Sequence, residues 1–119
     1  HLAVYRSRPD VCAVIHAHPE TACAFAASEA EISANLLCES AVVVGPIGRA
    51  PYFAPGTNEL ADAVGKAAKD HDVFLMSNHG AMALGTSLLQ AFSRIEVLER
   101  AAKATLICEH LLKSGVYIH

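Results

Sequence analysis

The sequence is poor in charge. Lys, Arg, Asp and Glu together make up 18% of its 119 residues, and the formal net charge is −3. No basic patch stands out, so nucleic acid is not an expected partner. Long apolar runs are absent as well. The uninterrupted ones span only a few residues, against the ~20 needed to cross a bilayer, so no membrane association is expected. The opening residues carry no signal-peptide pattern. None of the four cysteines, Cys12, Cys23, Cys38 and Cys108, forms a C-x-x-C pair. Each lies in an apolar neighbourhood and is expected to be a buried, reduced thiol, which points to a reducing compartment, most simply the cytoplasm. Internal repeats, linkers and low-complexity tracts are also missing, so residues 1–119 are treated as belonging to one domain.

What is present is apolar. Such residues make up 53% of the chain, enough to bury a real core. The opening His1-Leu2-Ala3-Val4-Tyr5-Arg6 has no Met and reads as the middle of a helix. The chain is therefore expected to be a piece of a longer protein, with an N-terminal part missing. That helix should stop near Arg8-Pro9, because the residue before a proline disfavours the α region. Val11 to His16 reads as a buried strand. Pro19 suits the first turn of a helix running on to Ser28. Ala41 to Gly45, AVVVG, reads as a second strand. GPIGRAPYFAPG, Gly45 to Gly56, reads as a loop with a short strand near Tyr52-Phe53.

Thr57 then reads as the N-cap of a helix carrying Leu60, Val64 and Ala68 on one face. Asp72 to Met76 reads as a third strand, Ser77 to Gly80 as a turn, and AMALG, ending at Gly85, as a short fourth strand. Ser87 to Gln90 fits a capping box. Leu88, Phe92, Ile95, Leu98, Ala102 and Leu106 follow at helical spacing. Glu96–Arg100 and Glu99–Lys103 are favourable i,i+4 pairs on the wet side of that helix, and Gly115 is a plausible stop. Strands alternate with helices, which predicts a layered α/β domain.

The chemistry lies in the histidines. In VIHAHPE, side-chain alternation puts His16 and His18 on one face of the first strand, with Cα atoms about 6.5 Å apart. Two imidazoles at that separation can bend toward one ion. Alone, the pair reads equally well as two histidines hydrogen-bonded to backbone or water. His79 shifts the balance. It ends the strand Val73 to Met76 and precedes Gly80, which lets the backbone come close. Asn-His-Gly is also good turn chemistry. Three histidines at strand ends of one sheet nonetheless fit the three protein ligands of an open zinc site. His1, His71, His110 and His119 receive no role. His71 is expected to be solvated.

HLAVYRSRPDVCAVIHAHPETACAFAA, PYFAPGTNELADAV, FLMSNHGAMALG and AFSRIEVLERAAK together resemble the class II aldolase/adducin family. The similarity runs along nearly the whole chain with the motifs in order, and it is greatest to the L-fuculose-phosphate aldolase branch. H-x-H-P followed by N-H-G at this distance is the specific part. The resemblance implies a three-layer α/β/α sandwich around a mostly antiparallel sheet, of which this chain would be the C-terminal portion. It implies that His16, His18 and His79 hold Zn²⁺ or another divalent metal. It implies a sugar-phosphate substrate cleaved by retro-aldol chemistry, and a homotetramer with active sites at subunit contacts.

Two features depart from the family pattern. The acid/base glutamate is expected upstream of His1, and most phosphate-gripping residues are expected there too, so this chain alone should be inactive. The aldolases' tyrosine proton donor has no counterpart in ISANLLCES, where Leu37 stands about in its place. Tyr52 and Tyr117 do not take over that position. Sugar-acid phosphate decarboxylation, or epimerisation, on the same metal platform therefore stays open beside aldol cleavage. So does a non-catalytic, adducin-like interaction domain, although the intact histidine triad argues against it.

Overall fold

The computed structural model describes residues 1–113. Its elements run α1 (Leu2–Ser7), β1 (Ala13–Ala17), α2 (Glu20–Ala26), α3 (Cys38–Val43), β2 (Ile47–Ala50), α4 (Asn58–Asp70), β3 (Val73–Met76), β4 (Gly80–Gly85) and α5 (Leu88–Lys113). The four strands form one sheet in the order β1-β4-β3-β2. β1 pairs antiparallel with β4 and β4 with β3, while β2 runs parallel to β3. The sheet is thus mixed and mostly antiparallel, with helices packed on both faces.

Strand alternation sorts the core into two clusters. Phe74, Met76, Met82 and Leu84 pack with Val4 and Val64, from α1 and α4. Leu75, Ala81 and Ala83 pack with Phe25 of α2 and with Ile95, Leu98 and Ala102 of α5. The central strands β3 and β4 are buried at every position, which is why they read as continuous apolar runs. Helix α4 begins where expected, with the Thr57 hydroxyl accepting from the Leu60 N–H at 3.3 Å. Among the described residues no helix is long and apolar enough to cross a membrane.

Several expectations are corrected. AVVVG is not a strand. Its first residues complete α3, because the Ser40 hydroxyl donates to the Leu37 carbonyl at 3.0 Å and Glu39 meets Arg100 of α5 at 2.7 Å. The β-branched side chains do not decide this, since Val42 is exposed; the contacts of α3 come from Ser40 and Glu39. The strand beside β3 is Ile47–Ala50 instead, and Tyr52-Phe53 lie outside any strand. Gly48 makes that pairing possible, since a Cβ there would meet the His71 ring at 2.6 Å. His71 is accordingly half-buried rather than solvated, its Nδ1–H donating to the Ala67 carbonyl at 3.2 Å.

The capping box at α5 is only half as expected. Ser87 accepts from the Gln90 N–H at 3.1 Å, but the Gln90 side chain reaches Thr86 rather than Ser87. Of the two i,i+4 pairs, Glu99–Lys103 is present at 4.0 Å, whereas Arg100 turns to Glu39. The cysteines are free but not buried: Cys12 and Cys38 are exposed, and Cys23 and Cys108 are intermediate. The expected stop at Gly115, with Tyr117 and His119, lies outside the described residues.

Candidate metal centre

The three predicted histidines converge at one end of the sheet. His16 is on β1, opposite Met82 of β4. His18 stands one residue beyond β1, and His79 lies in the three-residue connection between β3 and β4. That connection turns because Asn78 takes φ 58°, a left-handed conformation that asparagine tolerates better than most residues. The turn is pinned by the Asn78 N–H donating to the Ala26 carbonyl at 2.8 Å and the His79 N–H to the Met76 carbonyl at 3.0 Å.

The rings form a compact triangle. Centroids lie 4.9 Å apart for His16–His18, 4.8 Å for His16–His79 and 5.5 Å for His18–His79. One nitrogen from each ring falls within 4.8 Å of the others. Gly80 keeps this approach open. A Cβ there would meet His18 Cδ2 at 2.6 Å and the Ala17 carbonyl at 2.7 Å.

The hydrogen bonds assign the tautomers. His16 Nδ1–H donates to the Ala81 carbonyl at 3.0 Å, which leaves Nε2 as its lone-pair nitrogen. That Nε2 lies 3.1 Å from Nε2 of His18, so the two ring nitrogens already face each other. Burial pushes the His16 pKa below its usual value. The Ala81 bond opposes this, and charge on His79 or His18 would add to it. This favours the neutral ring, the form in which an imidazole can bind a metal.

A divalent cation fits this donor set. Two nitrogens on one tetrahedral zinc ion sit about 3.3 Å apart, and the His16–His18 pair is already near that spacing. Nδ1 of His79 is buried with no hydrogen-bond partner. An unpaired buried polar atom costs about 1–3 kcal/mol, and binding a cation is one of the few roles that removes that cost. The second-sphere bond from His16 to a carbonyl is also the usual accompaniment of a ligating imidazole.

Sequence reasoning did not find what holds these side chains in place. Glu99 of α5 accepts from the Thr21 and Ala22 N–H groups of α2 at 3.0 and 2.8 Å. Arg49 of β2 donates to the Phe25 and Ala26 carbonyls at the other end of α2 and to the Ala30 carbonyl beyond it. A start signal was legible in the bare N-terminus of α2, where Pro19 offers no capping oxygen. Nothing in the chain order names a residue 77–78 positions away as the substitute.

An α/β/α sandwich with a histidine triad at one end of its sheet defines a narrow class of protein. Residues 1–106 match the family described as Class II Aldolase and Adducin N-terminal domain, and the chain belongs to that family. It is 36% identical over 107 residues to an L-fuculose phosphate aldolase of Methanocaldococcus jannaschii, covering 90% of this chain and 58% of that protein. It is 33% identical over 111 residues to a 3-oxo-tetronate 4-phosphate decarboxylase of Escherichia coli K12, covering 90% of this chain and 52% of that protein. Its fold superposes with TM-score 0.78 on the crystal structure of an L-fuculose-1-phosphate aldolase from Thermus thermophilus, at 28% identity, covering 98% of this chain and 62% of that one. The chain spans about half the length of the curated relatives it matches.

Proposed function

We propose that residues 1–119 are the metal-holding portion of a class II aldolase-type domain, a lyase acting on a phosphorylated sugar. In this reading His16, His18 and His79 bind one divalent ion, with zinc preferred for an all-imidazole site. The observation that carries it is the cluster itself: three ring nitrogens within 4.8 Å, one ring locked by a backbone carbonyl, and a buried His79 nitrogen without a partner. The family's cytoplasmic, homotetrameric assembly belongs to the same proposal, as does a catalytic carboxylate outside this chain.

The chain's own part in the chemistry is to hold and to tune. Bound there, a divalent ion supplies Lewis-acid polarisation of a carbonyl oxygen and its neighbouring hydroxyl. Three neutral imidazoles leave the charge of such an ion uncompensated, which suits that use. Ala81 orients His16 through Nδ1, and the tight turn at Asn78 aims His79. Gly80 allows the rings to meet without a clash from its own position.

Decarboxylation of a phosphorylated sugar acid is the second reading. It is favoured by the relative of that activity and by Leu37, which stands where the aldolases' tyrosine is expected. A product screen on the whole protein separates the two. Glycolaldehyde phosphate or dihydroxyacetone phosphate would mark aldol cleavage, and carbon dioxide would mark decarboxylation. Activity of either kind should vanish on chelation and return with zinc. Activity that survives thorough chelation would overturn the metal-dependent reading.

A further inference from the structure

The three histidines are not held equally. His16 is tied to Ala81, and His79 sits in a hairpin turn pinned by two backbone hydrogen bonds. His18 is exposed, lies beyond the end of β1, and among the described residues has no hydrogen-bond partner for its ring except His16. Its position is set by the main chain that leaves it. That main chain runs through Pro19 directly into α2, with no flexible residue between.

The start of α2 lacks a local cap. Pro19 is the N-cap residue and makes no side-chain hydrogen bond. The helix N–H groups that an N-cap oxygen ordinarily satisfies belong to its second and third residues. Here they are Thr21 and Ala22, three and four positions after His18. Both are taken by one carboxylate, with Oε2 of Glu99 at 3.0 Å from the Thr21 nitrogen and Oε1 at 2.8 Å from that of Ala22. The Glu99 side chain is 19% exposed, and Lys103 steadies it at 4.0 Å.

We infer that Glu99 is a positioning residue for the metal centre, clamping the N-terminus of α2 so that His18 is presented to the other two rings. The inference rests on the reading of His16, His18 and His79 as metal ligands. Glu99 touches neither the cluster nor a substrate; it acts through the backbone of residues 18–22. Replacing it with alanine removes both acceptors at once. The α2 start is then free to shift, and His18 moves with it.

The test is equilibrium metal binding by the whole protein, measured by zinc competition with a chelator and by the visible spectrum of the cobalt-substituted form. Glu99→Ala is compared with Glu99→Gln, which keeps one acceptor, and with Ser87→Ala. Ser87 caps α5 at the opposite end of β4, so that control removes a helix cap of ordinary strength away from the cluster. The expected result is metal binding in Glu99→Ala weakened by about tenfold, the lower end of the loss seen when a partner in direct contact with a ligand is removed. A changed cobalt spectrum should accompany it, with Glu99→Gln intermediate. Ser87→Ala should lower the melting temperature of the metal-free protein and leave affinity and spectrum unchanged. Wild-type affinity and spectrum in a folded Glu99 variant would overturn the positioning role while leaving the three-histidine site standing. Equal loss of affinity in Ser87→Ala would reduce Glu99 to general stability and also overturn it. Absence of metal binding by the wild type would overturn the metal reading itself, and this inference with it.

Discussion

At the scale of single residues, the cluster depends on one missing methyl group as much as on three imidazoles. Gly80 sits where a Cβ would lie 2.6 Å from the His18 ring and 2.7 Å from the Ala17 carbonyl. The carbonyl belongs to a paired strand and cannot move cheaply. Gly80→Ala is therefore expected to push β1 from β4 at the site end and to weaken metal binding by at least about tenfold, in line with lost ligand orientation. Isothermal titration with zinc checks this.

His16 sets the pH response. Burial holds its pKa below the ordinary value of 6.5. As pH falls, the unfolded chain takes up its proton first, so protonation favours unfolding through the window between 6.5 and the lower folded value. Stability from this residue is thus present above that window and is lost on descending through it. Protons also compete with metal for the ring nitrogens. Metal content and melting temperature measured across pH should fall together below about pH 6.5. A flat profile down to about pH 4 would contradict a three-histidine site.

At the scale of elements, caps and context decide where segments begin and what they become. Thr57→Ala should cost about 1 kcal/mol in urea unfolding by removing the cap of α4, with no change in metal affinity. That start was legible because Thr57 carries its own capping oxygen. So were β1, β3 and β4, whose apolar runs match what the sheet buries, and the start of α5 at Ser87. Of the spacing read along α5, only Ile95, Leu98 and Ala102 face the core, while Leu88, Phe92 and Leu106 are exposed. All three histidines were legible too, since strand ends and the Asn-His-Gly turn are local signals. The AVVVG segment was not. Its side chains favour a strand, whereas its first part continues a helix anchored by Ser40 to Leu37 and by Glu39 to Arg100, just before it in the chain. The strand at Ile47–Ala50 hid behind a glycine and an arginine, because its fit against His71 is a tertiary fact. Glu99 reads in the sequence as a surface partner of Lys103, while its two shortest bonds go to α2.

At the scale of the whole molecule, two cores on opposite faces of one sheet keep the strand ends in register. Leu98 is fully buried in the α2/α5 cluster. Leu98→Ala should cost about 2–5 kcal/mol by opening a cavity there, read as a lower urea midpoint. At the end of the sheet far from the histidines, Asp72 joins Arg8 at 2.9 Å and Arg94 at 3.4 Å, linking the segments around α1, β3 and α5. Arg94 also donates to the Leu84 carbonyl at 2.6 Å and the Val43 carbonyl at 3.2 Å. This network ties the layers together at one pole and leaves the other free for chemistry.

Everything proposed for this chain turns on His16, His18 and His79 holding one divalent metal ion. The decisive measurement is metal content per subunit of the whole protein, taken beside His18→Ala. Close to one zinc equivalent per subunit is expected in the wild type, with most of it lost in the variant and both proteins folded. No metal in either, or equal metal in both, would refute the site.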